Sequence, residues 1–157
     1  MTNRFLTLPV ATVRKETGGA IVVGFRPPAP AAFVFHPGQY LTLRTDIAGE
    51  AEQRCYSICS TPDAPTIDIA IKRVPGGRFS EWAHRVLKPG VEVDVSPPEG
   101  RFGLAPDPSA ARSYLAIAAG SGVTPIMSLA ETLLATEPGS DVTFVYGNRT
   151  TGSIMFR

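Results

Sequence analysis

Alternation of apolar and polar residues is the feature that most constrains the fold of this chain. Ile67, Ile69 and Ile71 alternate with Asp68, Ala70 and Lys72, and valines repeat the pattern over 91–96. A period of two is typical of strands with one buried face. Six candidate strands fall within residues 1–106, at 5–15, 20–25, 39–45, 52–58, 66–74 and 91–96. With a short helix at 81–87, they predict a small six-stranded antiparallel barrel, whose closure removes open sheet edges.

A different pattern follows a proline- and alanine-rich linker at 105–111. The apolar run 113–119 predicts a strand buried on both sides, as in a parallel sheet. A helix over 125–135 and a strand over 141–146 complete a right-handed parallel βαβ unit at 113–157. The last residues, from Thr150, are expected to begin a helix that has no stop signal. We therefore expect an incomplete nucleotide-binding domain, and a chain that is part of a longer protein.

Two segments of the barrel carry candidate ligand-binding residues. Arg54 and Tyr56 lie two apart on a predicted strand and so share a face, about 6–7 Å from each other. A guanidinium beside a phenol suits a ligand with a phosphate and a flat ring. Gly77 and Ser80 open the predicted short helix, with Ser80 expected as its N-cap, and helix N-termini attract anions. An ordinary capped helix is the alternative interpretation of this second segment.

A third candidate segment joins the strand at 113–119 to the helix that follows it. Gly120, Ser121 and Gly122 form the turn, and Thr124 and Pro125 open the helix. A glycine turn between a strand and a helix N-terminus is a cradle for nucleotide phosphates. The spacing lacks the third glycine of the usual dinucleotide fingerprint, and no Gly-Lys-Ser/Thr of a Walker loop follows.

These three segments, in this order, resemble the ferredoxin–NADP reductase superfamily over essentially the whole chain. Arg54-Cys55-Tyr56-Ser57, Gly76 to Ser80, Leu115 to Gly122 and Tyr146 to Thr150 are most similar to the reductase components of phenylacetyl-CoA epoxidase systems. The resemblance implies an FAD-dependent oxidoreductase that takes electrons from NADPH, or NADH, and passes them through an iron–sulfur centre. The implied partner is the oxygenase component of a multicomponent monooxygenase.

The same resemblance implies individual roles. Arg54 would hold the FAD pyrophosphate, Tyr56 would pack on the flavin, and Ser57 would lie near its reactive N5, which makes Tyr56 and Ser57 the expected catalytic residues. The backbone of Ile71 and Lys72 would line the flavin, as the corresponding strand does in the family. The further expected cofactor ligands are Gly77, Arg78, Phe79, Ser80, Gly120, Gly122, Thr124 and Arg149. Arg149 would bind a 2′-phosphate, although a solvated loop arginine fits the sequence equally well. Arg73 is expected to be a surface charge at a strand end.

Cysteine content limits the redox centres that this chain can hold. A plant-type iron–sulfur cluster needs four cysteines, and this sequence has two, Cys55 and Cys59. Four positions apart on a strand, they lie roughly 13 Å from each other, beyond disulfide reach. His36 and His84 make no ligand set with them. We expect no metal and no iron–sulfur cluster in this chain, and unpaired thiols predict the cytoplasm.

Three functions from different classes remain open at this point. The first is the electron-transfer flavoenzyme, and the second is a flavin-binding fragment without turnover. The third is a barrel for another ligand, such as nucleic acid, and a net charge of +1 argues against it. No apolar run approaches the roughly 18–20 residues of a membrane span.

Overall fold

The computed structural model describes residues 5–157, so the first four residues of the predicted barrel at 1–106 lie outside the described part. Its first sheet has six strands: β1 Leu6–Thr17, β2 Ala20–Phe25, β3 Tyr40–Ile47, β4 Glu50–Ser57, β5 Ile67–Lys72 and β6 Glu92–Val95. A helix, α1 Arg78–Val86, lies between β5 and β6, and a 3-10 turn covers Pro30–Phe33. All six predicted strands are present, with ends that differ by two residues or fewer from the prediction.

The sheet has the strand order β4-β3-β6-β1-β2-β5, and every described pair in it is antiparallel. A bridge between Ile58 and Ile69 joins the two outer strands, and the Cys59 N–H donates to the Asp68 carbonyl at 2.8 Å. The predicted six-stranded antiparallel barrel is therefore confirmed. Away from this one contact, β4 and β5 are not hydrogen-bonded neighbours, and the gap between them is where the candidate site lies.

Alternation along the strands builds the barrel core. Ile69 and Ile71 are fully buried and Ile67 is nearly so, whereas Asp68 and Lys72 reach the outer surface. Burial of each such side chain stabilises the fold by about 1.5–3 kcal/mol. The other fully buried core side chains include Leu8, Phe25, Leu41, Leu43, Ile58 and Val95. The helix α1 covers one end of the barrel with Phe79 and Ala83.

The second part is a βαβ unit made of β7 Ser113–Ala119, α2 Val123–Thr136 and β8 Asp141–Gly147. The two strands pair in parallel, from Ser113 opposite Asp141 to Ala119 opposite Gly147. Pro125 lies in the first turn of α2, where the missing N–H of proline costs nothing. The predicted parallel unit is therefore confirmed.

Two predictions about this second part are wrong. Strand 113–119 is not buried on both sides, because Leu115 and Ile117 are 65% and 67% exposed. The helix α2 covers one face of the two-stranded sheet, and no other element among residues 5–157 covers the opposite face. The chain from Thr150 does not begin a helix either. It makes a single 3-10 turn, Thr151–Ser153, and then runs back to the barrel.

An apolar contact fixes the two parts to each other. Met155 is fully buried among Ala20, Val22 and Ala70 of the barrel and Val123 of α2. The next backbone N–H, that of residue 156, donates to the Glu16 carboxylate at 2.6 Å. On the other side of this contact, the Ser128 hydroxyl donates to the Ser60 carbonyl at 2.6 Å. These contacts hold the end of the glycine turn beside the barrel.

A buried carboxylate, that of Glu137, ties the connecting segment to the βαβ unit. It accepts hydrogen bonds from the Ser140 hydroxyl at 2.6 Å and from the Asp107 backbone N–H at 2.8 Å. The Tyr114 hydroxyl donates to it at 3.0 Å, and Arg112 lies 3.5 Å away. The Ser140 bond, followed by the Asp107 amide, lowers the pKa of Glu137, so this group is a carboxylate at neutral pH.

Candidate functional site

A large cleft lies between the barrel and the βαβ unit. It has a volume of about 1340 Å³ and is lined by β4, the end of β5, the start of α1 and the carboxyl ends of β7 and β8. Pockets for a single small ligand usually have volumes of roughly 300–1,000 Å³. The cleft therefore has room for two ligands that meet between the two parts of the chain.

Nearly every residue predicted as a ligand lines this cleft. From the barrel come Arg54, Tyr56, Ser57, Lys72, Gly77, Arg78, Phe79 and Ser80, and from the βαβ unit come Gly120, Gly122, Thr124 and Arg149. Ile71 is the exception, because its side chain is fully buried in the barrel core and its carbonyl lies 3.0 Å from Nε2 of His84. Arg73, expected as a surface charge, is exposed and also lies at the lip of the cleft.

The predicted common face of β4 is present, and it carries a guanidinium beside a phenol ring. Tyr56 packs against Phe79 at the start of α1, with ring centroids 5.8 Å apart, and Phe79 packs in turn against Trp82 at 5.3 Å. Burial raises the pKa of Tyr56 to about 12, so its hydroxyl remains protonated at physiological pH. The result is a half-buried aromatic surface at the cleft wall, next to the cationic side chain of Arg54.

The N-terminus of α1 differs from the predicted one. The cap is Gly77, and Ser80 lies three residues into the helix. The Ser80 hydroxyl accepts from the Val74 N–H at 3.0 Å, so it closes the turn before the helix instead of capping the helix end. The first helical bond runs from Glu81 to the Gly77 carbonyl. The backbone N–H groups of Arg78, Phe79 and Ser80 thus have no intrahelical acceptor, which is the arrangement that binds anions.

Gly77 is required by this turn on steric grounds. A Cβ at this position would lie 2.8 Å from the Ser80 hydroxyl oxygen and 3.0 Å from the Val74 carbonyl oxygen. Both distances are shorter than ordinary contacts, so any larger residue would displace the segment that presents the free N–H groups. Glycine is therefore needed here before any ligand is considered.

The glycine turn after β7 is held in place by side chains. The Tyr146 hydroxyl donates to the Gly120 carbonyl at 2.8 Å, and the Thr124 hydroxyl donates to the Ser121 carbonyl at 2.9 Å. Gly120 has φ of +52°, a left-handed conformation that favours glycine. The Lys72 ammonium lies 3.8 Å from where a Cβ on residue 120 would stand, so a barrel cation faces this turn.

Charge is distributed unevenly between the cleft and the whole chain. None of the residues that line the cleft is acidic, and five of them are basic: Arg54, Lys72, Arg73, Arg78 and Arg149. The sequence as a whole has a net charge of only +1. A cation-rich, carboxylate-free wall favours a ligand with several phosphates. The overall composition does not reveal this clustering of basic residues, and it was not predicted from the sequence.

Asn148 is a second feature that sequence reasoning did not select. It follows β8, lines the cleft next to Arg149, and both polar atoms of its amide are buried with no hydrogen-bond partner. An unpaired buried polar group costs about 1–3 kcal/mol. The Asn148 amide thus offers a hydrogen-bond donor and a hydrogen-bond acceptor, and neither has a partner among the described residues.

The described residues contain no group of three or more metal-ligating side chains. Cys55 is exposed on the cleft wall, and Cys59 is buried, which raises its pKa to about 12. Both thiols are free. Among residues 5–157, no helix is both long enough and apolar enough to cross a membrane.

Comparison with known proteins matches both parts of the chain to family models. The model of the oxidoreductase FAD-binding domain matches residues 9–103, and that of the oxidoreductase NAD-binding domain matches residues 116–157. One component of the 1,2-phenylacetyl-CoA epoxidase of Escherichia coli (strain K12) is 45% identical over 98% of this chain and 44% of its own length. The chain thus spans less than half the length of this relative.

Two solved structures show the same arrangement of elements. A cytochrome P450 reductase from Amycolatopsis superposes with a TM-score of 0.83 at 29% identity, over 98% of this chain and 46% of the other. Phthalate dioxygenase reductase, described as a modular structure for electron transfer from pyridine nucleotides to [2Fe-2S], gives a TM-score of 0.80 at 29% identity, over 97% and 46%. The chain belongs to the family of oxidoreductase FAD-binding domains, and its residues 116–157 match the oxidoreductase NAD-binding domain.

Proposed function

We propose that this chain binds FAD and a pyridine nucleotide in the cleft, as the reductase part of an oxygenase system. The observation that carries the proposal is the cleft wall, whose lining residues include five cations, no acid and the half-buried ring of Tyr56. That wall matches a ligand with a flat ring system and a pyrophosphate. The bound flavin would supply the redox chemistry, by accepting a hydride and releasing electrons singly.

The barrel side of the cleft is proposed as the FAD site. Arg54 donates to the pyrophosphate, and the free N–H groups at Arg78, Phe79 and Ser80 bind it from the α1 terminus. Tyr56 packs on the ring system, and Ser57, which lines the same wall, would hydrogen-bond to the ring edge. The backbone of Ile71 and Lys72 is proposed to line the flavin, since the Ile71 side chain itself belongs to the barrel core.

The βαβ side is proposed as the pyridine-nucleotide site. Gly120, Gly122 and Thr124 form the turn over which the nicotinamide end would lie, and Lys72 faces the same turn from the barrel. Arg149 would pair with a 2′-phosphate, which favours NADPH over NADH. The unpaired amide of Asn148 offers a donor and an acceptor to the same ligand.

We propose two domains, 1–106 for FAD and 113–157 for the first part of the nucleotide domain. The partner is proposed to be an oxygenase component reached through an iron–sulfur centre outside this chain. The relatives named above serve an epoxidase, a cytochrome P450 and a phthalate dioxygenase, and the identity to the epoxidase component supports phenylacetyl-CoA epoxidation first. The two free thiols support a cytoplasmic location.

An anaerobic reduction experiment tests this function. The chain is loaded with FAD, freed of excess cofactor and mixed with NADPH or NADH while the oxidised-flavin absorbance is followed. We expect bleaching with both nucleotides, at lower concentrations of NADPH, and loss of the NADPH preference in Arg149→Ala. Stable flavin binding without bleaching by either nucleotide would contradict a reductase role for this chain and favour a flavin-binding module without turnover.

A further inference from the structure

Two of the arginines at the cleft wall share one acid, Glu52. One carboxylate oxygen of Glu52 lies 3.0 Å from Nη1 of Arg54, and the other lies 3.3 Å from Nη1 of Arg78. The two cations come from different elements, β4 and α1. A single carboxylate therefore connects the strand and the helix that form the barrel side of the cleft.

This acid is far better protected from solvent than its neighbour. The Glu52 side chain is 13% exposed, whereas that of Glu50, which contacts Arg78 alone, is 69% exposed. Water and salt therefore screen the exposed Glu50 contact more than the Glu52 contacts. The Arg78 guanidinium has further partners, because it also donates to the Glu50 carboxylate and, at 2.9 Å, to the Ile47 carbonyl. Of the two acids, only Glu52 is placed to fix both guanidinium groups.

The contacts leave donors free for a ligand. The ion pair between Arg54 and Glu52 uses Nη1, and the same nitrogen also donates to the Gln53 carbonyl at 2.6 Å. A guanidinium carries five N–H donors. Among the described residues, Nη2 and Nε of Arg54 make no hydrogen bond, so the group is oriented on one side and available on the other.

We infer that Glu52 is a positioning residue of the phosphate site, a role that rests on the FAD site proposed above. Its carboxylate holds Arg54 and Arg78 in a fixed relation, so that the ordering of two long side chains precedes ligand binding. Glu52 itself does not touch the ligand. A negative charge near a pyrophosphate is by itself unfavourable, so the role of Glu52 lies in geometry and not in attraction.

This distinction gives opposite expectations for one substitution. If Glu52 were only a competing charge, Glu52→Gln would make the site more positive and FAD would bind more tightly. If Glu52 positions the arginines, the same change frees Arg54 from its carboxylate partner and breaks the link to Arg78, and FAD binds about tenfold more weakly. Glu52→Asp keeps the charge but shortens the side chain, so it cannot reach both cations, and we expect a comparable loss.

The experiment measures the dissociation constants of FAD and riboflavin by quenching of flavin fluorescence, for the wild-type chain, Glu52→Gln, Glu52→Asp and the control Glu50→Gln. We expect weaker FAD binding in both Glu52 variants, unchanged riboflavin binding, and a change of less than about twofold in Glu50→Gln. Unchanged riboflavin binding also shows that the variants are folded.

The outcomes separate this inference from the proposed function. Wild-type protein that does not bind FAD would overturn the FAD site itself. Wild-type protein that binds FAD, with tighter binding in Glu52→Gln or an unchanged constant in Glu52→Asp, would overturn the positioning role alone. Equal losses for FAD and riboflavin in the Glu52 variants would assign Glu52 to barrel stability and equally overturn it.

Discussion

Replacement of Met155 by alanine should lower the stability of the βαβ unit more than that of the barrel. Met155 is fully buried between Ala20, Val22 and Ala70 on the barrel and Val123 on α2. It is supplied by the segment after the Thr151–Ser153 turn, which otherwise reaches the barrel through the bond from residue 156 to Glu16. The variant removes the largest apolar contact of this segment and leaves the barrel core intact.

The expected loss of stability in Met155→Ala follows from the burial of the methionine side chain. Truncation of a buried methionine to alanine costs about 2–5 kcal/mol. The neighbours Met127 and Phe156 are only partly buried and can relax into the space, so we expect the lower half of this range, about 2–3 kcal/mol. For a chain of this length each kcal/mol lowers the unfolding midpoint by about 2–4 °C, which gives a decrease of about 4–12 °C.

Two probes follow the two parts during thermal unfolding. Trp82, the only tryptophan, lies on α1 and reports on the barrel, while far-UV circular dichroism is sensitive to α2, the longest helix described. We expect the dichroism midpoint to fall in Met155→Ala while the Trp82 midpoint moves less. Leu134→Ala, at a 47% exposed position, is the control and should change stability by less than about 0.5 kcal/mol. Unchanged midpoints in Met155→Ala, or equal shifts of both probes, would refute this account of the contact.

Three further predictions concern the site and the connecting segment. Arg54→Ala should weaken FAD binding about ten- to hundredfold, because a charge-assisted bond is worth roughly 1.5–3 kcal/mol, and a full complement of FAD after dilution to micromolar protein would contradict this. Ser80→Ala should cost about 0.5–1.5 kcal/mol in denaturant unfolding, because the turn before α1 loses the hydrogen bond from the Val74 N–H to the Ser80 hydroxyl, and an unchanged midpoint would argue against that bond. Glu137 has a lowered pKa when folded, so it stabilises the fold above its unfolded pKa of about 4.5 and this stability is lost as pH falls. The Glu137→Gln variant should therefore have a lower free energy of unfolding than wild type at pH 7, and should lose less of it when the pH falls below about 4.5. Parallel curves of unfolding free energy against pH for the two proteins would contradict this role of Glu137.

The parts of the fold that depend on local pattern were predictable. The alternation of Ile67, Ile69 and Ile71 fixes which face of β5 is buried, whatever lies opposite. The order of the arginine, glycine–serine and glycine-turn segments predicted the residues of the cleft wall, and the structure brings all of them except Ile71 together. The side chain of Ile71 lies in the barrel core, on the face of β5 opposite to that of Lys72, and the prediction for this stretch concerned its backbone.

Features that depend on distant partners could not be predicted. Ser80 looks like an N-cap in the sequence, but its hydroxyl bonds to Val74 in the preceding turn, which moves the helix start to Arg78. The residues after Thr150 make one 3-10 turn in place of the predicted helix, and Met155 is then buried against barrel residues that are distant in the sequence. Glu52 is one of several acids in the sequence, and only the approach of α1 to β4 gives it two arginines.

An equilibrium titration with FAD, FMN and riboflavin tests the central claim most directly, namely that the basic wall holds a pyrophosphate beside Tyr56. The purified chain is stripped of bound flavin and each ligand is titrated at low and high salt. We expect one equivalent of FAD to bind at least tenfold more tightly than FMN or riboflavin, with the preference reduced at high salt because the cleft charges are screened. No binding of FAD, or equal affinity for FAD and riboflavin at both salt concentrations, would contradict the assignment of the cleft.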